Sequence, residues 1–146
     1  MRVHIATDHA AFEMKNYLAG RLRDAGYEVV DHGATTYDAL DDYPTFIIPC
    51  AEAVAASGEL GVVLGGSGNG EQIAANKVKG VRAALAYSPE IARLSREHNN
   101  ANVLSIGGRF HEEEEAWQIV RAFLETPFSR DERHQRRIDA VGAYEA

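Results

Sequence analysis

Five short apolar runs, each followed by a helical pattern, limit what this chain can fold into. The runs are RVHIAT (2–7), YEVVDHG (27–33), LGVVLGG (60–66), VRAALAY (81–87) and NVLSIGG (102–108). Val and Ile recur in them, and LGVVLGG is continuous and apolar, as a strand buried on both faces must be. Helical patterns separate the runs. One covers about residues 10–25, with Phe12, Met14, Leu18 and Leu22 on one face and Gly26 as its stop. A second runs from Phe46 to Ala56 with Pro44 in its first turn, and a third from about Gly70 to Lys77. SPEIARLSREHNN opens with Ser88 as N-cap and Pro89 behind it. HEEEEAWQIVRAFLETP places its glutamates at the positive end of a helix dipole and turns Ala116, Ile119, Val120 and Phe123 inward. The tail from Ser129 predicts one more helix. Strands alternating with helices predict a parallel α/β sheet covered on both faces. The 146 residues suit one domain, 1–146, and no linker or internal repeat divides them.

Composition removes several functions. A net charge of −7 disfavours nucleic acid and anionic membrane surfaces. No apolar run approaches the roughly 18 residues of a membrane span, and MRVHIATDHA lacks the apolar core of a signal peptide. The cytoplasm is the expected location. One cysteine excludes an intrachain disulfide, and Cys50 falls on an apolar helix stripe, as a core residue would. The six histidines show no H-E-x-x-H spacing, so no metal site or cofactor is expected.

In open parallel α/β folds ligands sit at the carboxyl ends of the strands. Asp8 and His9 follow the first run, GGSGNGEQ (65–72) the third, and Arg109 the fifth. The glycine loop departs from both nucleotide motifs, because Glu71 and Gln72 stand where a P-loop has Lys and Ser or Thr, and Glu71 replaces the last glycine of a dinucleotide loop. Glycines let backbone N–H groups approach an anion at a helix start. A carboxylate there makes sense as a general base beside a carbonyl, with the N–H groups stabilising the enediolate that forms. The helix dipole would weaken that base, and burial would strengthen it. A tight turn with Glu71 as a helix-start acid is the alternative. His98 and Asn99 close a helix, which places them at the opposite, amino edge of the sheet. Arg133 and Arg137 are four apart and share a helix face, suited to phosphate or to pairing with Asp131, Glu132 and Asp139.

Together Asp8-His9, DDYP (41–44), GGSGNGEQIAANKVKGVRAAL (65–85), REHNNANVLSIGGR (96–109) and RHQRRID (133–139) resemble the ribose/galactose isomerase family. The likeness is to its type B ribose-5-phosphate isomerases, nearest the actinobacterial form, and covers nearly the whole chain. The resemblance implies a three-layer α/β/α sandwich, Rossmann-like, with a five-stranded parallel sheet. It implies a metal-independent interconversion of ribose 5-phosphate and ribulose 5-phosphate through a cis-enediol, in the pentose phosphate pathway. Carried over, Glu71 is the base and His98 the acid that opens the furanose ring. Asp8, His9 and Asn99 contact the sugar. Gly66, Ser67, Gly68, Asn69 and Gly70 form the anion hole, and Arg109, Arg133 and Arg137 grip the phosphate. The partner it implies is a second copy of the chain, in a dimer or tetramer whose active sites are shared between subunits. Many members carry a cysteine base where this chain has Ser67, so the chemistry here falls to Glu71. Other family substrates are allose 6-phosphate, galactose 6-phosphate and tetrulose 4-phosphates, with loop 34–42 and the distance to the arginines setting chain length. A phosphosugar- or nucleotide-binding module without catalysis is the rival from another class.

Overall fold

The computed structural model describes residues 1–146 and bears out the expected α/β/α sandwich. Five parallel strands, β1 (Arg2–Thr7), β2 (Glu28–Asp31), β3 (Leu60–Gly65), β4 (Ala83–Leu85) and β5 (Val103–Gly107), lie in the order β2-β1-β3-β5-β4. Side chains alternate between faces along each strand. Val3 and Ile5 of β1, Val62 and Leu64 of β3, and Leu104 and Ile106 of β5 join one core. That core is closed by α1 (Phe12–Asp24), α4 (Pro89–Asn99) and α5 (Glu113–Glu125). On the other face, Ala6, Val63 and Val103 meet α2 (Pro44–Ser57) and α3 (Asn69–Asn76). The last helix, α6 (Glu132–Glu145), packs against α4.

Local chemistry sets the helix ends. Ser88 Oγ accepts from the Ile91 N–H at 3.2 Å, as expected of the N-cap before Pro89. Asp131 caps α6 by accepting from the Arg133 N–H. Gly58 ends α2 and Asn100 ends α4, both in the left-handed region. Several boundaries differ from the sequence expectation, among them β2, which keeps only Glu28–Asp31 of its run. The first helical segment starts as a single 3-10 turn at His9–Ala11, because the Asp8 side chain accepts from Ala10 N–H and tightens that turn. The fourth strand keeps only Ala83–Leu85 of its apolar run, because β4 lies at the sheet edge and pairs on one side alone.

Cys50 is fully buried, and burial pushes its thiol up to about 12, so it packs as the expected core residue. Lys15 is also fully buried. Its Nζ donates to Asp31 Oδ2 at 2.7 Å and to the Ala34 carbonyl at 2.8 Å, which ties α1 to the start of the loop after β2. No helix is long and apolar enough to cross a membrane.

Candidate active site

The chain leaves β1 toward β2 on one side and later returns to place β3 on the other side of β1. That reversal opens a crevice at the carboxyl ends of β1 and β3. Asp8 and His9 leave β1 at this edge, and the glycine loop leaves β3 there. Gly108 and Arg109 leave the neighbouring β5, and the Arg109 N–H donates to the Gly66 carbonyl at 3.1 Å.

Gly68 turns the loop into α3 with φ +83°, a conformation that favours glycine. Ser105 Oγ, buried on β5, donates to the Gly68 carbonyl at 2.7 Å and pins that turn. Ser67 Oγ accepts from the Asn69 N–H at 3.2 Å. The N-terminal N–H groups of α3 therefore emerge at the crevice.

Glu71 lies in the first turn of α3 and is 4% exposed. Burial raises the proton affinity of its carboxyl. Its own N–H and that of Gly68 pull the other way, and the Asp8 charge adds to the rise. The net direction is up, so burial outweighs these two N–H bonds. A carboxylate with raised proton affinity in a cleft is suited to general-base work.

The seat for this carboxylate is Gly65. A Cβ on Gly65 would overlap the carboxyl carbon and both oxygens of Glu71. Gly65→Ala should therefore leave the backbone of β3 in place and push Glu71 aside. A shift of about 1 Å at a reacting group costs roughly a hundredfold in rate. Steady-state kinetics should show about that loss in kcat with an unchanged far-UV circular dichroism spectrum. Retention of full kcat would show that the Glu71 position does not matter.

His9 packs beside Asp8 and Arg109. The hydrogen bond to Asp41 raises its proton affinity most, burial opposes, the Asp8 and Asp41 charges add to the rise, and Arg109 lowers it. Asp8, His9 and Asp41 each bring one ligand atom within 4.8 Å of the others, the arrangement a cation would need. In the form seen, however, His9 Nδ1 is hydrogen-bonded to Asp41 and Asp8 Oδ1 to Ala10 N–H.

The remaining expected residues stand elsewhere. His98 and Asn99 end α4 at the amino edge of the sheet, where the Asn99 carbonyl accepts from Arg82 Nε just before β4. The His98 ring lies 4.4 Å, centroid to centroid, from that of His134 on α6. Arg133 and Arg137 flank His134, and both are exposed. The expected site residues of one chain thus fall into two groups. Asp8, His9, the glycine loop, Glu71 and Arg109 share the carboxyl edge, and His98, Asn99, Arg133 and Arg137 share the amino edge. Sequence reasoning gave no role to Asp41, Gly65, Ser105 or His134. The contacts that single them out, apart from those of Gly65, span 5 to 37 positions in the chain.

Residues 3–141 match the ribose/galactose isomerase family. The chain belongs to that family. It is 56% identical over 146 residues to ribose-5-phosphate isomerase B of Mycobacterium tuberculosis, covering 99% of this chain and 90% of that protein. It is 55% identical to the Mycobacterium leprae protein of the same name, with the same coverage. Among solved structures, ribose-5-phosphate isomerase B from Mycoplasma genitalium with bound ribulose-5-phosphate superposes with a TM-score of 0.94 at 42% identity. That match covers 99% of this chain and 95% of the other. The type B enzyme of Trypanosoma cruzi gives a TM-score of 0.94 at 44% identity, covering 99% and 98%. This family membership agrees with the resemblance carried by the glycine block and the REHNNAN segment.

Proposed function

We propose that this protein interconverts ribose 5-phosphate and ribulose 5-phosphate by acid-base proton transfer in the pentose phosphate pathway. The buried Glu71 carboxylate at the start of α3 carries this reading. The mycobacterial ribose-5-phosphate isomerases B and the Mycoplasma relative with bound ribulose-5-phosphate support it. In the forward direction Glu71 removes the proton on C2 of the open aldose and returns it to C1. The C1 oxygen gains a proton as the C2 hydroxyl gives one up, so charge on the enediolate is transient. The backbone of the loop from Gly66 to Gly70 faces that charge, with the Gly68 N–H engaged by Glu71 and the Asn69 N–H by Ser67 Oγ. No metal ion or cofactor takes part.

His98 opens the furanose ring, Asp8, His9 and Asn99 hold the sugar, and Arg109, Arg133 and Arg137 bind the phosphate. Because these residues occupy opposite edges of one chain, the working site forms in a homodimer, with His98, Asn99, Arg133 and Arg137 supplied by the partner. Unpartnered apolar side chains at the carboxyl edge support this assembly. Leu40 is 89% exposed, Phe110 73%, Tyr87 67% and Ile73 62%. Residues 1–146 act as one isomerase domain in the cytoplasm.

Steady-state isomerisation in excess EDTA tests the assignment. The panel is ribose 5-phosphate beside allose 6-phosphate, galactose 6-phosphate and erythrulose 4-phosphate. Ribose 5-phosphate should give the highest kcat/KM. A higher value for another sugar keeps the chemistry and moves the substrate. Folded protein that turns over none of them supports a binding module.

A further inference from the structure

Asp41 has no role in the proton transfer proposed above, yet it is closely held beside the crevice. Its Oδ1 accepts twice from His9, from the backbone N–H at 3.1 Å and from ring Nδ1 at 2.7 Å. The Asp41 side chain is only 9% exposed, and its Oδ2 is enclosed without a donor. Two bonds from one oxygen fix the main chain and the ring of His9 together. The Tyr37 ring stands edge-on to the imidazole at 6.4 Å between centroids. With Nδ1 committed to Asp41, Nε2 is the ring nitrogen left for a ligand.

What Nε2 offers depends on protonation. Neutral imidazole with its proton on Nδ1 presents a lone pair at Nε2, and imidazolium presents an N–H. The oxygens of a sugar phosphate that lack a proton call for a donor. The charged and titratable groups around the ring come from five segments. Asp8 precedes it, Asp41 and Tyr37 face it from the loop after β2, and Arg109 faces it from the turn after β5. Glu13 of α1 and Glu113 of α5 line the cavity of about 480 Å³ that His9 also lines. Arg109 is the one cation in this set, and Asp41 and Asp8 favour a proton on the ring.

We propose that Asp41 is a positioning residue that holds His9 with its Nε2–H directed at an oxygen of the bound sugar phosphate. The role rests on the isomerase reading for its ligand, but the state of His9 can be read without turnover. The sign of the pH effect follows from the protonated ring being the donor, and the Asp41 hydrogen bond moves its midpoint up. The donor is present at low pH and is lost as pH rises through the His9 midpoint in the folded protein. Weaker binding on the alkaline side should mark that loss.

The test is NMR of histidine-labelled protein, wild type and Asp41→Asn, with the His9 signals assigned from His9→Gln. Ribose 5-phosphate kinetics across pH accompany it. In the wild type His9 should titrate above the ordinary value of about 6.5 and carry its proton on Nδ1 when neutral. In Asp41→Asn the midpoint should fall by about one pH unit. The alkaline rise in KM should move down by the same interval, while kcat at saturation changes less than about threefold. Comparing two proteins on one substrate cancels the titration of the substrate phosphate. Identical His9 titration in the two proteins would overturn the proposal, and so would an unmoved KM profile with a lower kcat. If Asp41→Asn does not fold, the wild-type spectrum decides. A neutral Nε2–H tautomer, or a midpoint at or below the ordinary value, would sink the idea. Should ribose 5-phosphate not be turned over at all, the His9 titrations still decide the Asp41–His9 pairing.

Discussion

Glu71→Gln lowers kcat for ribose 5-phosphate by about a hundred- to ten-thousand-fold, the range supplied by a positioned general base. The amide is nearly isosteric with the carboxylate and fills the same buried space against Gly65. Its oxygen can still accept from the Glu71 and Gly68 N–H groups that face the carboxylate. The fold and the phosphate contacts therefore stay, and KM should move by only a fewfold. The distinction from a binding module is large. A pure binder loses a negative charge near a bound anion and should hold ribose 5-phosphate as well or better after the change. Rapid-mixing kinetics and calorimetry on the same variant separate the two. The wild-type pH profile adds a check. Burial raises the Glu71 proton affinity, so the acid limb of kcat/KM should lie above the ordinary glutamate value of about 4.3. A limb at or below that value, with full activity in Glu71→Gln, would remove Glu71 from the chemistry.

Mixing two impaired variants should restore activity. Glu71 stands at the carboxyl edge of its chain and His98 at the amino edge. If each site takes Glu71 from one subunit and His98 from the other, Glu71→Gln and His98→Asn homodimers have no intact site. A heterodimer of the two has one site with both residues native and one with neither. Random pairing of equal amounts makes half the dimers mixed, so roughly a quarter of all sites become native. Ring opening also occurs in water, so His98→Asn alone keeps more activity than Glu71→Gln, and the gain is measured against the simple average of the two. Co-refolded mixtures should exceed that average severalfold, and separately refolded variants mixed on ice should not. Activity equal to the average in co-refolded protein would place both residues in one subunit's site. Sedimentation of the wild type should give a dimer or a multiple of one.

Much of the fold was legible before any coordinates. Short apolar runs rich in Val and Ile are local signals, so RVHIAT, LGVVLGG and NVLSIGG became β1, β3 and β5. Cap chemistry is local too, and Ser88 and Gly58 end their helices as their residue types require. Sequence was less informative at the sheet edge, where β4 is three residues long because pairing on one side sustains less strand than apolar content suggests.

The candidate site divides along the same line. Residue type and order alone set a glycine loop before a helix, a glutamate in its first turn and a parallel α/β architecture, because each depends on neighbours within a few positions. The net proton affinity of Glu71 was left open by sequence, since desolvation depends on what packs over the carboxyl from distant segments. Only the tertiary structure decided it, in favour of a raised proton affinity. The same holds for Asp41 on His9, 32 positions apart, and for Ser105 on Gly68, 37 apart. Such contacts follow from strand order and loop closure, which no local pattern encodes.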